Sequence, residues 1–155
     1  PLLLTATVLI IIGIIIAALF AMTTQPKLED GATVTVRIDR KKITAKVAKS
    51  PETQQKGLGG TTGLTDDEGM LFVYDASLVP TFYMKDMNYP IDMIWIAGDT
   101  VTEVTPNVQP QPGVSEDQLT RYSPSGPVNR VLEARAGFAT DNSIQPGDPV
   151  RISSF

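Results

Sequence analysis

The sequence predicts an all-β fold, an antiparallel sandwich or a partly closed barrel with one short helix, preceded by an N-terminal transmembrane helix. Apolar and polar residues alternate with a period of two after residue 32, which is the period of a strand with one buried face. Short apolar segments separated by clusters of Gly, Pro, Asn and Asp follow, whereas a single segment carries helix signals. The membrane helix is predicted from an uncharged N-terminal stretch.

Residues 1–22 contain no charged side chain, and about 20 apolar residues in a helix cross the roughly 30 Å hydrocarbon core of a bilayer. We interpret residues 1–22 as a transmembrane anchor, residues 23–31 as a linker and residues 32–155 as the folded domain. A cleavable signal peptide is the alternative, although its apolar core is usually shorter, about 7–15 residues. A buried core helix is disfavoured, because so small a domain cannot surround a helix that is apolar on every side.

Cations from Lys27 to Lys42 follow the apolar span, and on a short loop they would indicate a cytoplasmic location. They lie in or beside the predicted domain, however, and long domains translocate largely regardless of charge. The positive-inside rule therefore leaves the orientation open.

Eight strands are predicted in the domain. The first two alternate strictly and form a hairpin around the loop Asp39–Lys42. The segment Ile91–Ile96 is apolar on both faces apart from Asp92, so we place it centrally in the sheet. The long, Pro-rich segment Pro106–Pro127 predicts a surface loop. The predicted strands are Val34–Ile38, Ile43–Val47, Met70–Tyr74, Thr81–Lys85, Ile91–Ile96, Thr100–Thr105, Val128–Arg135 and Pro149–Ile152.

One short helix is predicted between the second and third strands. Ser50 can cap its first turn, Pro51 has the φ angle of the first helical position, and Glu52 favours the positive end of the helix dipole. Gly57 can end the helix in the left-handed conformation.

The composition limits the chemistry that the chain can perform. Its net charge of −4 gives no basic footprint for nucleic acid. The absence of His and Cys removes the commonest general base, the commonest metal ligand and the thiol nucleophile. The acidic residues Asp66, Asp67 and Glu68 lack the spacing of a calcium loop and are interpreted as a solvated turn. We predict neither a metal nor another cofactor.

Several short motifs occur in a specific order. They are Ser50-Pro51-Glu52, Gly57-Leu58-Gly59-Gly60, Gly69-Met70-Leu71-Phe72, Met84-Lys85-x-Met87-x-x-Pro90-Ile91-Asp92, Leu132-Glu133 and Gly147-Asp148. In that order and spacing the chain resembles the DUF192 family of small, mostly extracytoplasmic β domains, which has no established activity. The resemblance implies an all-β fold outside the cytoplasm. Two departures are Thr61-Thr62, where members often carry a basic residue, and Tyr83, where Trp is common.

Two acidic residues are candidates for burial. Asp92 lies among apolar residues, so its carboxylate must be hydrogen-bonded or paired. We favour a satisfied carboxylate that locks the strand over a binding or catalytic one. Glu133 has Arg130 and Arg135 nearby, and the favoured interpretation is an exposed cross-strand ion pair.

A ligand-binding groove is predicted beside Tyr83, Lys85, Asp86 and Tyr89. This segment leads through the turn Asn88–Pro90, where side chains can be presented at a sheet end. Lys85 and Asp86 would lie on opposite faces of an extended strand and would not pair with each other.

Three functions remain compatible with the sequence. The first is a membrane-anchored extracytoplasmic module that binds an envelope glycan or protein in that groove. The second is a glycan hydrolase that uses Asp92 or Asp86 together with Glu133, since a carboxylate pair about 5 to 10 Å apart can cleave glycosidic bonds. The third is a structural envelope component whose charged residues serve folding.

Overall fold

The structure, a computed structural model, describes residues 28–155. The predicted membrane span over residues 1–22 and most of the predicted linker over residues 23–31 lie outside the described residues. Within residues 28–155, no helix is both long and apolar enough to cross a membrane. The anchor therefore stays a prediction from sequence.

The described residues form an all-β fold with short helices between the strands. In chain order the elements are β1 (Thr33–Ile38), β2 (Lys41–Ala48), α1 (Pro51–Lys56), β3 (Glu68–Leu78), β4 (Ile91–Ala97), β5 (Thr100–Val108), a 3₁₀ turn (Glu116–Gln118), β6 (Val128–Arg135), α2 (Phe138–Asp141) and β7 (Val150–Ser154).

All seven strands belong to one sheet with the order β5-β4-β6-β3-β2-β1-β7. The neighbours are antiparallel except β2 and β3, which are parallel. The prediction of a wholly antiparallel sheet was therefore wrong at this pair. Parallel neighbours need a crossover connection, and residues 49–67, which include α1, provide it. We call residues 49–67 the crossover.

The sheet curls until its two edge strands meet at one end. Thr100 at the start of β5 forms a bridge with Pro149 next to β7. The amide of Val101 donates to the Asp148 carbonyl at 3.0 Å, and the amide of Val150 donates to the Asp99 carbonyl at 2.9 Å. The result is a half-barrel, so of the two predicted architectures the partly closed barrel is the one that forms.

The two faces of the sheet bury separate apolar clusters. The barrel-side cluster fills the inside of the curl and receives a side chain from every strand, with Val36, Leu71, Ile94 and Leu132 among its members. The crossover-side cluster covers the opposite face, where Phe72, Met93, Trp95 and Val131 pack beneath Leu58 of the crossover and beneath Phe82 and Met84. Ile91–Ile96 is buried on both faces, as predicted for an interior strand.

The predicted hairpin and helix are confirmed. Val36 in β1 pairs with Ile43 in β2, and the alternating residues of both strands are buried. Ser50 accepts a hydrogen bond from the Thr53 amide at 3.2 Å, so it caps α1 as expected. Gly57 follows α1 with φ of 51°.

Three details of the sequence prediction were wrong. The predicted strand Thr81–Lys85 is reduced to one bridge between Phe82 and Tyr122, because the chain turns at Lys85 and Asp86. Strand β5 extends to Val108, so the long loop begins later than expected. Helix α2 was missed, since it has only four residues and begins after a left-handed Gly137 (φ 84°), not after a Ser or Asp cap.

Candidate functional site

Asp92 lies on the barrel side of β4 and is completely buried. Its carboxylate accepts hydrogen bonds from three backbone amides, those of Asn107 at 2.8 Å, Gly137 at 3.2 Å and Ala139 at 2.9 Å. The burial predicted from its apolar neighbours is confirmed. Because charged acceptors and backbone donors form strong hydrogen bonds, this carboxylate is satisfied by the fold itself.

The three donors reach Asp92 because of two irregularities in the fold. The pairing of β4 with β5 shifts register opposite Asp92, and Asn107 adopts a left-handed conformation with φ of 54° at this bulge. The other two amides come from the chain that enters α2 after Gly137. One side chain thus connects β4, β5 and α2.

Glu133 lies on the opposite face of the sheet, in β6, and is 5% exposed. Its direct cross-strand neighbours are Met70 in β3 and Met93 in β4. The expected exposed ion pair was therefore wrong. The two flanking arginines pair with other acids, Arg130 with Asp99, and Arg135 with Asp66 and Asp141.

The carboxyl group of Glu133 has no hydrogen-bond or ion-pair partner among residues 28–155. In the same part of the chain, no fully enclosed side-chain oxygen or nitrogen lacks a hydrogen bond. The carboxyl group therefore touches open space, and it does so as part of the lining of a cavity. It is a buried acid directed at a cavity.

Burial among apolar side chains raises the pKa of Glu133 from 4.5 to about 8, because the charged form loses its hydration. The pKa of the neighbouring Tyr74 hydroxyl is also raised, to about 12, by burial and then by the adjacent Glu133. At neutral pH both groups are thus mainly protonated and can donate hydrogen bonds.

The cavity has a volume of about 310 Å³ and lies between the crossover and the segment 81–87. We call it the Glu133 cavity. Its buried apolar lining residues are Leu58, Phe72, Phe82 and Met84, and its exposed lining residues are polar. It is lined by Gln54, Gln55, Lys56, Gly57, Leu58, Gly59, Phe72, Tyr74, Thr81, Phe82, Tyr83, Met84, Lys85, Met87 and Glu133.

Of the predicted groove residues, Tyr83 and Lys85 line this cavity. The Lys85 ammonium lies 2.6 Å from a carboxylate oxygen of Glu116, and the Tyr83 hydroxyl donates to the other oxygen at 3.3 Å. The guanidinium of Arg121 lies over the Tyr83 ring, 4.3 Å from its centroid. The hydrogen bond to Glu116 raises the pKa of Lys85, so this cation at the rim is already paired.

The other two predicted residues lie beside the cavity. Asp86 is exposed in a turn with φ of 55°, and its backbone carbonyl accepts from the Gly60 amide at 2.9 Å. The Tyr89 hydroxyl lies 2.6 Å from the hydroxyl of Thr61. Asp86 and Tyr89 thus hold the loop after α1 against the segment 81–90, and they do not line the Glu133 cavity.

The structure therefore brings Tyr83 and Lys85 to the cavity that Glu133 closes, and it separates Asp92 from Glu133 by the thickness of the sheet. Sequence reasoning missed Gln54, Phe72 and Glu116. Phe72 lies two positions after Met70 in a predicted strand, but its place in the lining of a cavity depends on the crossover. No local pattern marks Glu116 as the partner of Lys85, which is 31 positions away.

The described residues contain no cluster of three or more Asp or Glu side chains arranged to hold a metal ion. The Glu133 cavity offers hydrogen bonding by acid, phenol, hydroxyl and amide groups, together with the ammonium groups of Lys56 and Lys85, beside an apolar wall. Such walls with a few convergent polar groups are typical of small-molecule sites.

The fold and the cavity define a class: a small half-barrel β domain with one parallel crossover and a buried acid under it. A family model matches residues 33–152, which is most of the chain, and the chain belongs to that family, DUF192, described as "Uncharacterized ACR". The resemblance in the sequence motifs is thereby confirmed.

The solved structures that are similar to this chain include two bacterial proteins. A protein from Sinorhizobium meliloti 1021, described as a proposed transcription regulator, is 27% identical with a TM-score of 0.71, over 79% of this chain and 95% of that one. A protein of unknown function from Novosphingobium aromaticivorans DSM 12444 is 28% identical with a TM-score of 0.69, over 83% of this chain and 94% of that one. No curated protein matches the chain.

Proposed function

We propose that this protein is a membrane-anchored, extracytoplasmic binding module that takes a small ligand, carried by an envelope glycan or protein, into the Glu133 cavity. The observation that carries the proposal is the buried carboxyl group directed at that cavity, which has no hydrogen-bond or ion-pair partner among residues 28–155. Tyr83 and Lys85 form part of the rim through which a ligand would enter.

The energetic argument rests on what Glu133 does not do for the fold. Burial among apolar side chains removes hydration from this carboxyl group, and a Leu at this position between Met70 and Met93 would carry no such cost. Proteins retain such locally unfavourable groups mainly where they bind or react. A ligand that supplies the missing partner explains why an acid stands here.

The hydrolase and the purely structural alternatives have weaker support. Asp92 and Glu133 lie on opposite faces of the sheet, and Asp86 is exposed in a turn outside the cavity, so neither forms a carboxylate pair with Glu133 within it. A structural role accounts for Asp92, with its three amide donors, but gives no reason for the unpartnered Glu133.

The anchor and the location are proposed from sequence. Residues 1–22 are uncharged and long enough to span a bilayer as a helix, and DUF192 domains are expected to be mostly extracytoplasmic. We do not extend the transcription-regulator description of the Sinorhizobium protein to this chain, because a net charge of −4 opposes binding to phosphate backbones.

The test is a glycan and peptide array probed with the full chain in detergent micelles. Three variants accompany the parent: Glu133→Leu, which removes the acid; Lys85→Ala at the rim; and Lys42→Ala, an exposed lysine on β2 that serves as the matched control. We expect a defined set of ligands that Glu133→Leu loses, Lys85→Ala retains more weakly and Lys42→Ala retains fully. Thermal unfolding of each variant verifies that the fold is intact. Unchanged binding by a folded Glu133→Leu variant would exclude the cavity as the site.

A further inference from the structure

We propose that Glu133 acts as a neutral hydrogen-bond donor to a carbonyl oxygen, and that the group inserted into the cavity is the acylamino group of an N-acetylated amino sugar. This inference rests on the proposed function, and it adds to it the chemical class of the ligand. Four observations lead to it.

The first observation is that the interior of the cavity offers no cation to Glu133. Lys56 and Lys85 line the same cavity, yet no ion pair among the described residues includes Glu133. Lys85 is engaged by Glu116 at 2.6 Å. An unpaired carboxylate in apolar surroundings is so costly that the group takes up a proton instead.

The second observation is that two polar groups that line the cavity with Glu133, those of Tyr74 and Gln54, are also uncharged. The Tyr74 phenol remains protonated, because burial, and after it the nearby Glu133, raises its pKa to about 12. Gln54 contributes an amide, whose nitrogen donates to the Val73 carbonyl at 2.9 Å. Neutral groups around a neutral acid match a ligand without charge, and a cationic ligand would also meet the two lysines at the rim.

The third observation is the apolar contact surface directly beside the acid. Phe72, Phe82 and Met84 are buried residues that line the cavity together with Glu133. A ligand group that places a carbonyl oxygen at the acid must therefore place a small apolar group beside it. An acetamido group has this composition, a carbonyl oxygen next to a methyl group.

The fourth observation is size. A volume of about 310 Å³ is at the lower end of the roughly 300–1,000 Å³ of small-ligand pockets. The cavity suits one sugar residue with its substituent. Gln55 and Thr81, exposed residues of the lining, offer polar side chains to sugar hydroxyls.

The experiment is calorimetric titration of the full chain in detergent micelles with four matched probes at pH 7. They are N-acetylglucosamine, glucose, which lacks the acylamino group, glucosamine, which carries an ammonium group instead, and N-acetylalanine methylamide, which carries the amide without the sugar. We expect N-acetylglucosamine to bind at least tenfold more tightly than the other three.

The pH dependence tests the protonation state of Glu133. If the neutral acid donates to the ligand, the affinity for N-acetylglucosamine is constant below pH 7 and about tenfold weaker at pH 9, one unit above the pKa. Glu133→Gln, whose amide also donates, retains binding without this pH dependence, and Glu133→Leu loses binding. Asp117→Asn removes an exposed carboxylate from the 3₁₀ turn and is expected to behave like the parent.

Several outcomes would overturn the inference. Preference for glucosamine that is lost in Glu133→Gln would make Glu133 the carboxylate of a cation site. Preference for N-acetylalanine methylamide would assign the cavity to peptides. In both cases the cavity remains a ligand site and the proposed function stands. If no probe binds and the array ligands are indifferent to Glu133→Leu, both proposals fail.

Discussion

Asp92 and Glu133 are both buried acids on adjacent strands, and the fold treats them in opposite ways. Asp92 faces the barrel side and accepts three backbone amides, whereas Glu133 faces the crossover side between two methionines and accepts none among the described residues. Sheet geometry alone separates them, because successive residues of a strand point to opposite faces. A buried acid is therefore informative about function only after its partners have been counted.

The largest expected difference between the two acids is that Glu133 makes the free energy of unfolding fall as the pH rises. Its pKa is about 8 in the folded protein and near 4.5 when exposed, so the folded state binds the proton more tightly than the unfolded state. The stability that results is complete below about pH 4.5 and is lost as the pH rises to about 8. Over that window the loss is about 3 to 5 kcal/mol.

Urea unfolding of the full chain in micelles, followed through the single tryptophan, Trp95, measures this loss. The comparison between pH 5 and pH 9 uses Glu133→Gln, which cannot ionise and should gain stability relative to the parent at pH 9. Asp117→Asn controls for the removal of a surface charge. A parent and a Glu133→Gln variant with the same pH dependence would contradict the raised pKa.

The next largest effect is expected at Asp92. Asp92→Asn replaces one acceptor oxygen with a donor group that faces backbone amides, and the free energy of unfolding should fall by about 1 to 3 kcal/mol at pH 7. Glu133→Gln should change it little at that pH, because the protonated acid and the amide are both neutral donors. Equal urea midpoints for Asp92→Asn and Glu133→Gln at pH 7 would contradict the expected difference between the two acids.

The smallest effect is expected at the rim. The pair of Lys85 and Glu116 is exposed on both sides, 43% and 48% of the side chains, and exposed pairs contribute little to stability. A double-mutant cycle of Lys85→Ala and Glu116→Ala should give a coupling energy smaller than the loss of unfolding free energy expected for Asp92→Asn. At 1 M salt this coupling energy should disappear. A coupling that persists at 1 M salt would indicate that the rim is structural.

The sequence was sufficient for the features that depend on local pattern. The β1–β2 hairpin, the cap of α1 by Ser50 and the interior position of β4 follow from periodicity and from residues next to one another. The burial of Asp92 was predictable for the same reason. Its donors were not, since Gly137 and Ala139 follow it by 45 and 47 positions.

Glu133 shows where local reasoning fails. The nearby Arg130 and Arg135 suggested an exposed ion pair, but both arginines have acidic partners elsewhere. The burial of Glu133 depends on the position of β6 between β3 and β4 and on the crossover above it. Both are long-range properties of the sheet order, which no sequence pattern around residue 133 contains.

The parallel pair of β2 and β3 has a consequence for how this family can diversify. A parallel neighbour forces the connection across one face, so six consecutive residues of the crossover, Gln54 to Gly59, form one wall of the cavity. The ladder of β2 and β3 fixes the sheet independently of that wall. Substitutions and changes of length in the crossover can therefore reshape the cavity while the half-barrel stays the same. Relatives that share this scaffold can thus carry cavities of different size and lining, so what is found for the cavity of one member should be tested, not assumed, for the next.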